Sequence, residues 1–80
     1  MIIRVLGSGC AKCKTLEVRI RQLVAKNQLD VEIEKVTDLE EIMKYGIMMT
    51  PGLVIDGVVK SAGVIPKDEQ LLAWMKGTQQ

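Results

Sequence analysis

The sequence contains no histidine, no phenylalanine and only two cysteines among its 80 residues. A structural zinc site takes four nitrogen or sulfur ligands, so one chain cannot complete such a site from two thiols without carboxylates or a second molecule. Trp74 and Tyr45 are the only aromatic residues. Their scarcity argues against an aromatic and basic surface of the kind that binds single-stranded nucleic acid.

Long apolar runs and an excess of one charge are also missing. No apolar stretch reaches the roughly 18 residues of a membrane-spanning helix, so we expect no membrane insertion. Eleven basic and ten acidic residues leave a net charge of +1, which gives no steering towards nucleic acid or an anionic membrane. The apolar run of residues 1–6 is too short for a signal peptide, and we therefore expect a cytoplasmic protein.

The chain is long enough for one small domain and has no room for a second. Its apolar content of 48% comes mainly from Ile, Val, Leu and Met, which suffices for an economical core. It contains no internal repeat, linker or low-complexity stretch. We predict a single domain over residues 1–80.

The most informative feature is the motif Cys10-Ala11-Lys12-Cys13, which follows a short apolar run and precedes a helical pattern. A helix N-terminus presents unpaired N–H groups and a partial positive charge. Both stabilise a thiolate, which is the reactive form of cysteine. In a reducing compartment, a close cysteine pair is more often catalytic, redox-sensing or metal-binding than a structural disulfide. The placement favours dithiol–disulfide exchange.

The spacing of apolar residues predicts a helix from Ala11 to Asn27. Its core-facing stripe consists of Leu16, Ile20, Leu23 and Val24. Counting back from this stripe puts Cys13 on the buried side of the helix, whereas Cys10 stands at its exposed start. The two thiols are therefore expected to differ in accessibility.

The remaining elements follow from alternation, capping and turn signals. Residues 31–34 alternate between apolar and charged side chains, which predicts a strand with one solvent-exposed face. A short helix is predicted to start at Thr37 or Asp38 and to end at Gly46. We expect this helix to carry three side chains inward: Leu39, Ile42 and Met43. Residues 53–55 and 58–60 flank Asp56-Gly57, a strong hairpin signal.

The last helix is expected to begin at Pro66, because proline suits a first helical position. It is lined by Leu71, Leu72 and Met75. The resulting order is β-α-β-α-β-β-α. A strand–helix–strand opening implies a parallel pair and the closing hairpin is antiparallel, so we predict an α/β fold with a four-stranded mixed sheet flanked by helices.

This order resembles the thioredoxin fold in its minimal form, with Cys-x-x-Cys opening the first helix and Thr-Pro just before the hairpin. The chain is most similar to the small thioredoxin/glutaredoxin-like redox-active disulfide proteins. The similarity covers essentially the whole chain. Its motifs, in order, are residues 7–13 (GSGCAKC), Thr50-Pro51-Gly52-Leu53, Asp56-Gly57 and Ser61-Ala62-Gly63.

The resemblance implies a thiol–disulfide oxidoreductase with Cys10 as the nucleophile and Cys13 as the resolving thiol. It implies that Pro51 is a cis-proline facing the disulfide and that the backbone of Thr50 pairs with an incoming substrate segment. The other expected substrate contacts are Gly9, Ala11, Lys12 and Gly63.

The resemblance also bears on cofactors and partners. No separate cofactor or metal is expected, because the Cys10–Cys13 disulfide is itself the redox-active group. The protein is expected to be a monomer. Its expected partners are a disulfide-containing protein substrate and an upstream thiol reductase or glutathione-like thiol.

The chain departs from the family pattern in three places. Typical thioredoxins carry aromatic residues before the first cysteine, where this sequence has Ser8-Gly9. They also carry a buried acid six residues before that cysteine, a position that Arg4 occupies here. The proton relay assigned to that acid is therefore missing or replaced. Glutaredoxins commonly have an aromatic residue inside the motif, where Ala11-Lys12 stand here.

Two other functions stay open at this point. A metallochaperone of the heavy-metal-associated type also opens its first helix with Cys-x-x-Cys, although its order is β-α-β-β-α-β. The thioethers of Met43, Met48 and Met49 invite a Cu(I) hypothesis, but methionines more often line a core or a pliable groove. The second alternative is a binding module on the thioredoxin scaffold that catalyses no disulfide exchange.

Overall fold

The computed structural model describes residues 1–77, so the last three residues of the predicted domain lie outside the described residues. The element order is the predicted one. In chain order the elements are β1 (Ile2–Leu6), α1 (Ala11–Asn27), β2 (Glu32–Val36), α2 (Leu39–Lys44), β3 (Gly52–Ile55), β4 (Val58–Ala62) and α3 (Asp68–Met75).

The four strands form one mixed sheet in the order β2-β1-β3-β4. β1 runs parallel to β2 and antiparallel to β3, so that Ile3 pairs with Ile33 on one side and with Ile55 on the other. The parallel pair needs a long crossover connection, which α1 provides. β2 forms one edge of the sheet, and its exposed Glu34 and Lys35 discourage pairing with another chain.

The alternation of side chains along β1 divides the core between the two faces of the sheet. Ile3 and Val5 point to the face covered by α1 and α3, where they pack with Leu16, Ile20 and Leu71. On the opposite face, a smaller cluster joins Leu6, Ile42 of α2 and Val54. The helices therefore lie on both sides of the sheet, with the larger cluster under α1.

The expectation that α2 carries Leu39 and Met43 inward is wrong. Their exposed fractions are 68% and 64%, and Ile42 is the buried residue of this helix. α2 has only six residues, fewer than two turns, and it turns one side chain fully towards the sheet. Tyr45 and Ile47 cover the neighbouring part of that face. Two apolar side chains of α2 are thus left on the surface.

The start of α3 also differs from the prediction. Lys67 is the N-cap of α3 and Pro66 lies before the helix, so the proline ends the preceding loop instead of opening the helix. Leu71 and Met75 are buried as expected, and Leu72 is partly buried.

The predicted hairpin turn is confirmed at Asp56-Gly57. Both residues have positive φ, 48° and 84°, as the two central residues of a type I′ turn require. The N–H of Ile2 donates to Asp56 Oδ1 at 2.8 Å, and the N–H of Asp56 donates to the Ile2 carbonyl oxygen at 2.9 Å. These two bonds tie the hairpin to the start of β1.

We expect Asp56→Ala to lower the free energy of unfolding by about 1–2 kcal/mol, because alanine is disfavoured in the left-handed region and offers no acceptor to Ile2. Asp56→Asn is the matched control, since asparagine tolerates positive φ and keeps a side-chain oxygen. Urea unfolding followed by circular dichroism measures both variants. An equal loss in the two variants would contradict this account of the turn.

Candidate active site

The two cysteines occupy the N-terminus of α1. Cys10 is the N-cap residue in extended conformation, with φ −66° and ψ 166°, and its Sγ accepts the N–H of Cys13 at 3.2 Å. The Cα atoms lie 5.1 Å apart and the two sulfurs form a disulfide. The first turn of the helix therefore directs a peptide N–H at the Cys10 sulfur, which favours a thiolate there once the disulfide is reduced.

The predicted asymmetry of the pair is confirmed. Cys13 is only 5% exposed and belongs to the buried side of α1 with Leu16 and Ile20. Cys10 is exposed. A molecule that approaches the helix tip therefore meets the Cys10 sulfur first, while the Cys13 sulfur lies against the end of β1.

Gly7 makes this close packing possible. Its N–H donates to the Val36 carbonyl oxygen at 2.9 Å, which extends the pairing of β1 with β2 by one residue. A Cβ at Gly7 would overlap the Sγ of Cys13 and stand 3.7 Å from the Cβ of Thr50. The missing side chain thus lets Cys13 and Thr50 approach the same stretch of backbone. The sequence pattern indicates that the first strand ends at Gly7, but it does not indicate this contact.

Thr50 and Pro51 reach the site from the loop before β3. The Thr50–Pro51 peptide bond is cis, as the resemblance implied. Thr50 is exposed, whereas the ring of Pro51 is fully buried. The N–H of Gly63 donates to the Pro51 carbonyl oxygen at 2.8 Å, so the end of β4 is held to the same loop. The side chain of Met49 lies over Gly63.

The other predicted substrate contacts surround Cys10. Gly9 precedes it with φ 92° and open space where a side chain would stand. Ala11 and Lys12 follow it as exposed residues in the first turn of α1. The substrate-binding roles of these residues, and of Thr50 and Gly63, stay predictions.

A model of the thioredoxin domain matches residues 1–76. The chain belongs to the thioredoxin family. A thioredoxin of Methanothermobacter thermautotrophicus is 35% identical over 71 residues, which cover 89% of this chain and 92% of that protein. A thioredoxin of Methanocaldococcus jannaschii is 36% identical over 76 residues, or 95% of this chain and 87% of that protein. With its Cys-x-x-Cys disulfide, this member of the family is a thiol–disulfide oxidoreductase.

The element order distinguishes the fold from that of the metallochaperone considered above, because a helix and not a hairpin strand follows β2. Within residues 1–77, no group of three or more His, Cys, Asp or Glu side chains is placed to hold a metal ion. In the same part of the chain, no helix is long and apolar enough to span a membrane.

Arg4 does not take over the function of the family's buried acid. It alternates with Ile3 and Val5 along β1, and so it lies on the face of the sheet away from α1. Its Nε donates to Glu34 Oε1 at 3.0 Å. This hydrogen bond, with a contribution from Tyr45, raises the pKa of Arg4 above its ordinary value. Arg4 is therefore a permanent cation on the side of the sheet remote from Cys13.

The charged groups beside Cys13 come from α1 and β2 instead. Glu17 Oε2 accepts from Arg21 Nε at 2.9 Å, and Lys35 Nζ lies 3.5 Å from Glu17 Oε1. The hydrogen bond from Arg21 lowers the pKa of Glu17, assisted by the charge of Lys35 and opposed by burial. The i, i+4 spacing of Cys13 and Glu17 is the sequence signal for this neighbour, whereas no local pattern points to Lys35.

We expect Gly7→Ala to damage the site, because the new methyl group would displace the Cys13 sulfur. Overpacking of this kind costs about 1–3 kcal/mol, and re-formation of the disulfide after reduction should slow. Ser8→Ala, at the exposed neighbouring position, is the control and should behave as the wild type. Urea unfolding and the rate of disulfide re-formation test both variants. A Gly7→Ala protein with unchanged stability and rate would refute the contact.

Proposed function

We propose that the protein exchanges disulfides with protein partners, with Cys10 as the attacking thiol and Cys13 as the resolving thiol. The observation that carries this proposal is the asymmetry of the pair. Cys10 is exposed at the N-cap, whereas Cys13 is 5% exposed beneath it. A partner sulfur can approach Cys10 at the open N-terminus of α1. The sulfur of Cys13 lies within one helical turn of Cys10.

The reaction proceeds in two exchange steps. First, the Cys10 thiolate attacks one sulfur of the partner disulfide, and the other partner sulfur leaves as a thiolate that takes up a proton. Cys13 then loses its proton and attacks the Cys10 sulfur, which forms the intramolecular disulfide and breaks the bond to the partner. The two cysteines are oxidised and the partner disulfide is reduced by two electrons. The N–H of Cys13 stabilises the Cys10 thiolate at the start.

A groove beside Thr50 supports a protein as the partner. It has a volume of about 300 Å³ and is lined by Leu39, Ile42, Met43, Gly46, Ile47, Met48 and Thr50. Met48 is 96% exposed, and methionine adapts to differently shaped apolar partners. The exposure of Leu39 and Met43, which the α2 pattern does not predict, gives this groove its apolar wall.

Thr50 extends the groove towards the disulfide. Among residues 1–77, its peptide groups form no hydrogen bond with other backbone groups, so they are free to pair with an extended segment. A segment that pairs with Thr50 would bring its cysteine to Cys10 and its flanking apolar side chain to Met48. A small thiol such as glutathione would leave most of the groove empty.

Repeated turnover needs an electron donor, because each cycle leaves Cys10 and Cys13 oxidised. An upstream thiol reductase or a glutathione-like thiol supplies these electrons. The reduced pair of thiols supplies both electrons itself as it closes to the disulfide, so the reaction requires no further cofactor. Net reduction of partners requires a reducing compartment, for which we infer the cytoplasm.

Trapping with single cysteine variants tests these roles. Cys13→Ser should accumulate a mixed disulfide through Cys10 with a disulfide-containing model protein such as insulin, because no second thiol releases it. Cys10→Ser should accumulate almost none, since its remaining thiol is buried. Intact-mass spectrometry after acid quenching counts the adducts.

The double variant Cys10→Ser/Cys13→Ser gives the background, and a parallel reaction with oxidised glutathione compares a small partner. Equal trapping by the two single variants would overturn the assignment of roles. Adducts with glutathione but none with the model protein would overturn the choice of a protein partner.

A further inference from the structure

A narrow crevice connects Cys13 with the charged groups of α1 and β2. Its volume is about 10 Å³, and its walls include Gly7, Cys13, Lys14, Glu17 and Lys35. A cavity of this size holds about one water molecule. Charges that face such a confined space act on a neighbouring sulfur with less screening than charges in bulk solvent.

Secondary structure directs both members of the ion pair into this crevice. Glu17 stands one helical turn after Cys13 on α1, and its side chain is only 15% exposed. Lys35 stands two residues after Ile33 along β2, so the two side chains point to the same face of the sheet. Ile33 packs against the core on the α1 face. Lys35 is therefore on that face as well, 3.5 Å from the Glu17 carboxylate.

The remaining surroundings of Cys13 define the charge balance. Lys14 adds a second cation to the crevice wall, while Arg21 binds Glu17 from the next turn of α1. β1 contributes only uncharged groups there, and the neighbouring Thr50 is uncharged. Glu17 is thus the anion among the residues that line the crevice. Because Arg21 and Lys35 hold it ionised, it acts as a fixed charge and not as a proton acceptor.

We propose that Glu17 and Lys35 set the proton affinity of Cys13 and thereby the rate at which Cys13 releases the partner from Cys10. This inference rests on the proposed function and names positioning residues for its second step. The Glu17 charge disfavours a thiolate at Cys13 and the Lys35 charge favours it. The balance of the two sets how readily Cys13 loses its proton when it attacks Cys10.

In the release step, Cys13 attacks the Cys10 sulfur and displaces the partner. The proton of Cys13 passes to water, and the electron pair left on its sulfur forms the bond to the Cys10 sulfur. The bond between Cys10 and the partner breaks, and the partner leaves as a thiolate that accepts a proton from solvent. Glu17 and Lys35 form no bond in this step and transfer no proton to Cys13 or the partner, so they change the energy of the Cys13 thiolate without being consumed.

The two residues predict shifts of opposite sign. In the reaction of the reduced protein with Ellman's reagent, attack by Cys10 releases the first thionitrobenzoate and attack by Cys13 releases the second. Lys35→Met should move the pH midpoint of the second release upward by roughly half to one unit, and Glu17→Gln should move it downward by a similar amount. Below the midpoint this corresponds to a roughly three- to tenfold slower or faster release.

Three controls separate charge from structure. Lys35→Arg keeps the charge and should restore the wild-type midpoint, and Lys26→Met removes a lysine at the far end of α1 and should not move it. Urea unfolding shows whether each variant is folded, and Lys35→Gln replaces Lys35→Met if the latter is not.

Glu17→Gln and Lys35→Met break the same ion pair, so a merely structural role would move both midpoints in one direction or not at all. Either of those results overturns the inference. A wild-type protein with no second release would instead overturn the proposed function.

Discussion

The close approach of the Cys13 sulfur to the backbone of Gly7 is the constraint on which the active site depends. The apolar stripe of α1 packs Leu16 and Ile20 against the sheet, and this packing fixes the first turn of the helix over the end of β1. Only a residue without a side chain fits between that turn and the loop that carries Thr50. The core therefore determines where the disulfide lies and which of its sulfurs faces solvent.

The chemistry follows from that placement. Cys10 stands outside the helix with a peptide N–H directed at its sulfur, and so it is suited to exist as a thiolate and to attack first. Cys13 is shielded, and in the proposed exchange it loses its proton after the partner is bound. The family's buried acid is replaced at its usual position by Arg4, which lies on the other face of the sheet. The charged residues that line the crevice beside Cys13 are Lys14, Glu17 and Lys35, and the last two form an ion pair.

Much of the fold could be predicted from the sequence because its signals are local. The helical pattern of residues 11–27 correctly assigned α1, and its apolar stripe correctly gave the unequal burial of Cys10 and Cys13. Asp56-Gly57 correctly located the hairpin. The inward placement of Leu39 and Met43 failed because periodicity cannot tell how much sheet surface a short helix covers.

The surroundings of Cys13 could not be predicted in full. The ion pair between Glu17 and Lys35 depends on how β2 pairs with β1. The role of Gly7 depends on how closely the first turn of α1 approaches the end of β1. Both are tertiary relations between residues distant in sequence, so no local pattern carries them. The cis peptide at Thr50–Pro51 followed from family resemblance and not from propensity, since only about 5–6% of X-Pro bonds in folded proteins are cis.

A redox titration of the Cys10–Cys13 pair tests the central claim most directly. The protein is equilibrated in glutathione or dithiothreitol buffers of graded potential, quenched with acid, and its free thiols are alkylated and counted by mass spectrometry. We predict one reversible two-electron transition between dithiol and intramolecular disulfide, with the same circular dichroism spectrum at both ends. A pair that stays reduced across the whole range, and that instead holds one Cu(I) tightly against competing chelators, would contradict the account.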